Sequence, residues 1–150
     1  MDFVQKVCHF NELAGTPNEF DKRKVGLYIG LCLEEMAEII AACGSRQAFE
    51  HMVHTMNHWS KRFKEGDFDE NLEHMDRVAA LDGFVDTAVV ALGGAYAMGA
   101  NVDGATHEVA DSNLSKFQDE NGDFMVYRDE NGKIKKGPKY RSPNLQPFLK

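Results

Sequence analysis

Apolar residues recur at helical spacing through Phe3, Val4, Val7, Cys8, Phe10 and Leu13, and Gly15-Thr16-Pro17-Asn18 then punctuates the chain as a turn. The pattern predicts a short first helix. From about Asp21 to Ala42 nearly every position is apolar or small apart from a few acids, which predicts a helix covered on most sides at the centre of the fold. Gly44 supplies a stop and Ser45 a candidate N-cap. Phe49, Met52, Val53, Met56, Trp59 and Phe63 then draw one apolar stripe, so the third helix is amphipathic and ends at Gly66-Asp67-Phe68-Asp69. Helical periodicity returns from about Glu73 to Gly99 with almost no polar residue after Asp86, predicting a second buried helix, and a last short helix is expected over Val102 to Lys116. Beyond Phe117 the chain turns to Asp, Asn, Gly, Lys and Pro. There Phe124-Met125-Val126-Tyr127 before Asn131-Gly132 reads as one arm of a β-hairpin and the remainder as extended loop. The expected organisation is a single all-α domain over 1–150, with a helical body (1–117) and an irregular basic tail (118–150).

The length of 150 residues, 43% of them hydrophobic, suits one domain with a substantial core. A net charge of −7 argues against a general nucleic-acid binder, whose surface must displace counterions from phosphates. The charge is uneven. Residues 1–111 carry 9 Lys/Arg against 19 Asp/Glu, whereas residues 112–150 carry 8 against 5. The uncharged run from Thr87 to Val102 is shorter than the ~20 apolar residues of a spanning helix, so no membrane insertion is expected. Met1-Asp2-Phe3-Val4 does not begin like a signal peptide. Cys8, Cys32 and Cys43 form no CxxC pair, and two of them sit among apolar neighbours, the pattern of packed free thiols in a reducing cytoplasm.

The informative feature is acidic. Glu35 and Glu38 lie about 60° apart on the helical stripe that holds Leu31 and Ala42, so they point toward the expected core. The residues four beyond Glu34, Glu35 and Glu38 are Glu38, Ile39 and Ala42, so no local cation can pair with them. Asp82 and Asp86 repeat the anomaly on the stripe of Met75, Val78, Val89, Gly93 and Tyr96. An unpaired buried carboxylate costs several kcal/mol or takes up a proton, and a cluster of them calls for a divalent cation. Oxygen-only ligation suits Mg²⁺ or Mn²⁺. The plainer alternative, acids solvated at a helix edge or paired with distant lysines, is weakened because two clusters sit in the two most apolar helices. Glu73-x-x-Asp76 lies on the opposite side of its helix from Asp82 and is set aside.

Glu34-Glu35-x-x-Glu38 on one apolar helix, followed by Leu81-Asp82-Gly83-Phe84-Val85-Asp86 and Ala91-Leu92-Gly93-Gly94-Ala95 on the next, resembles the MazG-like all-α nucleoside triphosphate pyrophosphohydrolases. Ser112-Asn113-Leu114-Ser115-Lys116, and Asn131-Gly132-Lys133-Ile134-Lys135-Lys136-Gly137-Pro138-Lys139-Tyr140, are similar to the phage and bacterial branch related to phosphoribosyl-ATP pyrophosphohydrolases. The resemblance runs from about residue 20 to 148. It implies a helical bundle working as a homodimer or homotetramer in the cytoplasm, of the host where the chain is phage-encoded. It also implies cleavage between the α and β phosphates with Mg²⁺ or Mn²⁺, and Glu35, Glu38 and Asp86 as metal ligands. The usual Glu-x-x-Asp of the family's second helix is interrupted, because the position three before Asp86 is Gly83, so Asp82 takes that place. Glu34 is left as an outer acid, a ligand or the water-activating base.

The chemistry is coherent in its own terms. A cation lowers the pKa of bound water, a carboxylate accepts its proton, and positive charge neutralises the phosphates. Asn113 and Lys116, with Lys133, Lys136 and Tyr140 in the tail, are the expected phosphate contacts, and the five positive charges from Lys133 to Arg141 form an expected lid. The substrate expected is a deoxynucleoside triphosphate. The alternatives are phosphoribosyl-ATP and, from another class, a non-catalytic helical interaction module whose acids bind a structural cation or a basic partner. His51, His54 and His58 share one face of the third helix and read as a solvated face rather than a metal site, since Lys61 and Arg62 are near. Asp119-x-Asn121-x-Asp123 lacks the glycine of a calcium loop and reads as a turn. Trp59, Phe63 and Phe68 read as core or subunit contact.

Overall fold

The computed structural model describes residues 1–16, 18–130 and 133–150, so the expected turn at Pro17 and the hairpin turn at Asn131-Gly132 lie outside the described residues. Among the described residues there are six α-helices and no strand: α1 (Phe3–Leu13), α2 (Lys22–Ala42), α3 (Gln47–Glu65), α4 (Asp69–Glu73), α5 (Arg77–Ala97) and α6 (Val102–Leu114). The all-α expectation holds. The expected hairpin arm is reduced to two isolated antiparallel bridges, Gln118 with Phe124 and Arg128 with Ile134. The chain divides into two compact units, Glu19–Ala80 and Met1–Asn18 with Leu81–Lys150.

The unit Glu19–Ala80 is built on the pairing of α2 with α3. Asp21 caps α2, its carboxylate accepting from the backbone N–H groups of Arg23 and Lys24 at 2.8 and 3.2 Å. The buried positions of α2 are Gly26, Gly30 and Ala37, spaced so that all three fall on one narrow face. A methyl group at Gly30 would stand 2.7 Å from the Ser60 carbonyl oxygen, so the two backbones touch here because the side chain is missing. Glycine packing thus places the α3 face of α2 some 160° from Glu35, and the expectation of a helix covered on most sides fails. Glu35 and Glu38 are exposed, as is Ile39.

Gly66 ends α3 in the left-handed conformation at φ 90°, and its N–H donates to the last turn. At the other end Arg46, not Ser45, is the N-cap, and no side chain caps the helix. The short α4 went unforeseen. It buries Leu72 against α2, and Lys22 pairs with Glu73, which occupies that acid in an ion pair.

The other unit packs α1 on α6. Asp2 and Gln5 cap α1 reciprocally. Phe10 meets the fully buried Phe117 with ring centres 5.2 Å apart, and Lys6 crosses to Asp111 at 2.6 Å and to His107 Nδ1 at 3.0 Å. A 3₁₀ turn at Ser115–Phe117 continues α6, which ends at Leu114 rather than Lys116. Its core is Ala110, Leu114 and Phe117. By contrast α5 has no buried residue, so the expectation of a second buried helix is overturned. It starts at Arg77, after α4 has used the residues near Glu73. It is long and apolar enough to cross a membrane by length and composition, although the strictly uncharged run is shorter, because a few acids barely reduce its average apolarity. The three cysteines are free and exposed instead of packed. Partial cover and the nearby Glu35 raise the Cys32 thiol above its ordinary pKa.

Candidate functional site

Glu34, Glu35 and Glu38 occupy the middle of α2, where straight helix fixes their spacing. Glu34 is half-buried and its carboxylate accepts from Lys64 Nζ at 2.9 Å, an ion pair reaching across from α3. Lys64, a counter-charge 30 residues away, was outside any local sequence pattern. Glu34 and Glu38 line a cavity of about 290 Å³ with Ala37, Ala41, Val53 and Asn57. Glu35 stands outside it. On α5, Asp82 and Asp86 are exposed and one helical turn apart, among Leu81, Val85 and Val89, which are exposed as well. The two acidic pairs belong to different compact units, and among the described residues no three His, Cys, Asp or Glu side chains group closely enough to hold a metal ion. The acids are therefore not buried in this chain's own core, contrary to the sequence expectation, because close glycine packing selected another face of α2 and α5 acquired no cover.

The expected phosphate contacts fare differently. Asn113 Oδ1 accepts from Lys116 Nζ at 2.8 Å, which fixes the ammonium at the end of α6. The tail returns to this point, since the Gly137 N–H donates to the Lys116 carbonyl at 2.8 Å. Only glycine fits there, because a methyl group at Gly137 would lie 2.7 Å from the Gln118 carbonyl oxygen and 2.8 Å from the Tyr127 ring. Lys136 Nζ then sits 4.1 Å from the centre of the Tyr140 ring. A hydrogen bond with Ser142, followed in effect by the ammoniums of Lys136 and Lys116, holds the Tyr140 phenol below its usual pKa. Asn113, Lys116, Lys136 and Tyr140 are thus brought together, a cationic group with a phenol among it. Lys133 is not among the contacts of this group, and its N–H donates to the Asp129 carboxylate at 2.9 Å.

Sequence reasoning missed the anchor of this segment. Arg141 forks onto Glu108, with Nη2 to Oε2 at 3.0 Å, and the Asn144 N–H donates to the same carboxylate at 2.9 Å. These contacts, with the hydrogen bond of the Asn144 amide second to that of Arg141, hold Glu108 below the ordinary carboxylate pKa. Ser112 Oγ donates to the Arg141 carbonyl at 2.8 Å, and the Arg141 N–H donates to Ser115 Oγ at 3.1 Å. From Gly137 to Asn144 the tail is a strap tied to α6 rather than a free loop.

The side signals resolve simply. His51, His54 and His58 are exposed on α3. The Asp119 carboxylate accepts from the backbone N–H groups of Asn121 and Asp123, the turn expected there. Trp59, Phe63 and Phe68 cluster with the Arg62 guanidinium 5.3 Å from the Trp59 ring centre and 5.0 Å from that of Phe68, a packed aromatic group. No protein-family model, curated protein or solved structure matches the chain.

Proposed function

We propose that the chain is a Mg²⁺- or Mn²⁺-dependent nucleoside triphosphate pyrophosphohydrolase that cleaves a deoxynucleoside triphosphate between its α and β phosphates. The observation that carries this reading is the placement of Glu34 and Glu38 along a cavity on α2, a helix whose remaining positions past Lys24 are apolar, small or acidic. Glu35 and Glu38 on α2 offer only carboxylate oxygens, the donors a hard divalent ion prefers, and Asp82 and Asp86 on α5 separately offer the same kind of donor. The ion, when bound, supplies positive charge that neutralises the phosphates and makes water more acidic. Glu34, steadied by Lys64, receives the proton of the attacking water. Lys116, Lys136 and Tyr140 offer the cationic and hydroxyl groups that suit phosphate oxygens, with Asn113 aiming Lys116, and Lys133 adds positive charge to the same tail.

The bare apolar surface of α5 supports assembly of the chain as a homodimer or homotetramer in which that helix is covered, since monomers rarely expose contiguous apolar patches of this extent. Recovery of the protein in membranes would assign α5 to lipid instead.

The test is hydrolysis of a panel of ribo- and deoxyribonucleoside triphosphates with Mg²⁺ and with Mn²⁺, products separated by chromatography. Monophosphate and pyrophosphate from one or two bases, abolished by EDTA, are the expected result. Release of inorganic phosphate alone contradicts cleavage between α and β, and turnover of phosphoribosyl-ATP alone moves the substrate class.

A further inference from the structure

The cavity beside Glu34 and Glu38 does not end there. A second one, of about 450 Å³, adjoins it and shares Ala41 and Val53. Gly44, Ser45, Phe49 and Glu50 complete its lining, at the end where α2 passes into α3. The two adjoining cavities make a groove along the α2–α3 pair, inside the unit Glu19–Ala80. Its two ends differ in chemistry. One has the aromatic ring of Phe49 with Ser45 and a single acid, Glu50, and the other has two carboxylates and an amide, Glu34, Glu38 and Asn57, while Ala41 and Val53 are common to both.

We infer that this groove seats the nucleoside half of the substrate, with the base between Ala41, Val53 and Phe49 and the sugar beside Asn57. The inference rests on the hydrolytic reading above and deepens it. Size agrees, because each cavity is on the scale of pockets for small organic ligands. The paired acids at one end and the aromatic ring at the other set the direction. Phosphates reach Glu38 only with a divalent cation between them, so the anionic end of the ligand belongs beside the acids and the ring belongs at Phe49. Asn57 has donor and acceptor atoms for a sugar hydroxyl. An apolar helix of a second copy fits the same groove poorly, since it would bury Glu38 and Asn57 against hydrocarbon.

The test compares the wild type with Phe49→Ala, which removes the ring, and Val53→Trp, which fills the groove. With the triphosphate that the wild type cleaves best, KM is expected to rise about tenfold or more, the effect of losing one base contact, while kcat stays within about twofold. Methyl resonances of Ala41 and Val53 in the wild type should shift on adding the corresponding deoxynucleoside without phosphates, a readout independent of turnover. Unchanged KM in both variants with no methyl shift overturns the groove assignment and leaves the hydrolytic reading standing. A change in the mass of the particle with Val53→Trp, at constant KM, gives the groove to a second copy and overturns it as well. Failure of the wild type to cleave any triphosphate sinks the hydrolytic reading, and the base site with it.

Discussion

Helices α5 and α6 divide the work of the fold in an unexpected way. The more apolar, α5, has no buried residue over 21 positions, with Val78 81% and Tyr96 76% exposed. The more polar α6, only 13 residues long, buries Ala110, Ser112 and Leu114 and leads into the fully buried Phe117. What separates them is the number of specific partners. α6 has Lys6 of α1 on one side, the Phe148 ring against Gly104 on another, and the strap tied through Glu108, Ser112 and Ser115. α5 has apolar residues around its whole circumference and, at Gly83, Gly93 and Gly94, open space where a side chain would stand. Composition says that a helix must be covered. Complementary neighbours decide what covers it, and within this chain α5 has no residue that is buried.

Matched truncations give the largest contrast. Phe117→Ala should cost about 3–5 kcal/mol, the usual effect of emptying a closed aromatic site, measured by urea denaturation. Val85→Ala, at a site 55% exposed, should change the stability of the dispersed chain by less than about 0.5 kcal/mol. Equal losses would mean that α5 is covered within the chain itself. Next in size is Gly30→Val, expected to cost about 1–3 kcal/mol because the added atoms meet the Ser60 backbone. The α2–α3 seam is tight where α5 is open, and a neutral result would remove that distinction.

Paired charges on α5 alter its surface without touching a core. Val85→Lys with Val89→Lys should leave the helical circular dichroism unchanged and reduce the light-scattering mass to about one chain, 16.8 kDa. A wild type already at that mass removes the assembly argument. The smallest effect concerns the strap on α6. Glu108 has its folded pKa depressed by Arg141, so its contribution is complete above the ordinary glutamate value of ~4.3 and is lost as pH falls through the folded value. Hydrogen exchange at the Arg141 and Asn144 amides should therefore speed up in acid once intrinsic rates are divided out, and Glu108→Gln should remove that acid dependence.

The sequence reveals local features better than long-range ones. The spacing of Phe3, Val7 and Phe10 locates α1, and Asp21 and Gly66 mark the start of α2 and the end of α3, because capping and left-handed glycine are decided within a few residues. Burial was less legible. Gly26 and Gly30 outweigh the larger apolar residues of α2 in choosing its packed face, since only they let the α3 backbone approach. The candidate site follows the same rule. The acids and lysines are readable as residue types, but the pairing of Glu34 with Lys64 and of Glu108 with Arg141 joins positions 30 and 33 residues apart. No pattern of period 3.6 reports on that. The hairpin arm was legible in part: Arg128 bridges Ile134 and the Lys135 N–H donates to the Tyr127 carbonyl at 2.8 Å, whereas Phe124 pairs with Gln118, a partner no local pattern announces.

Whether the α2 acids drive phosphoanhydride hydrolysis is decided by comparing the wild type with Glu38→Gln on the triphosphate it cleaves best. Monophosphate and pyrophosphate are expected from the wild type, at least a hundredfold less from the variant, on the order of the loss of a metal ligand or acid–base partner, with an unchanged melting curve. Full turnover by Glu38→Gln with the fold intact would contradict that role for the acids.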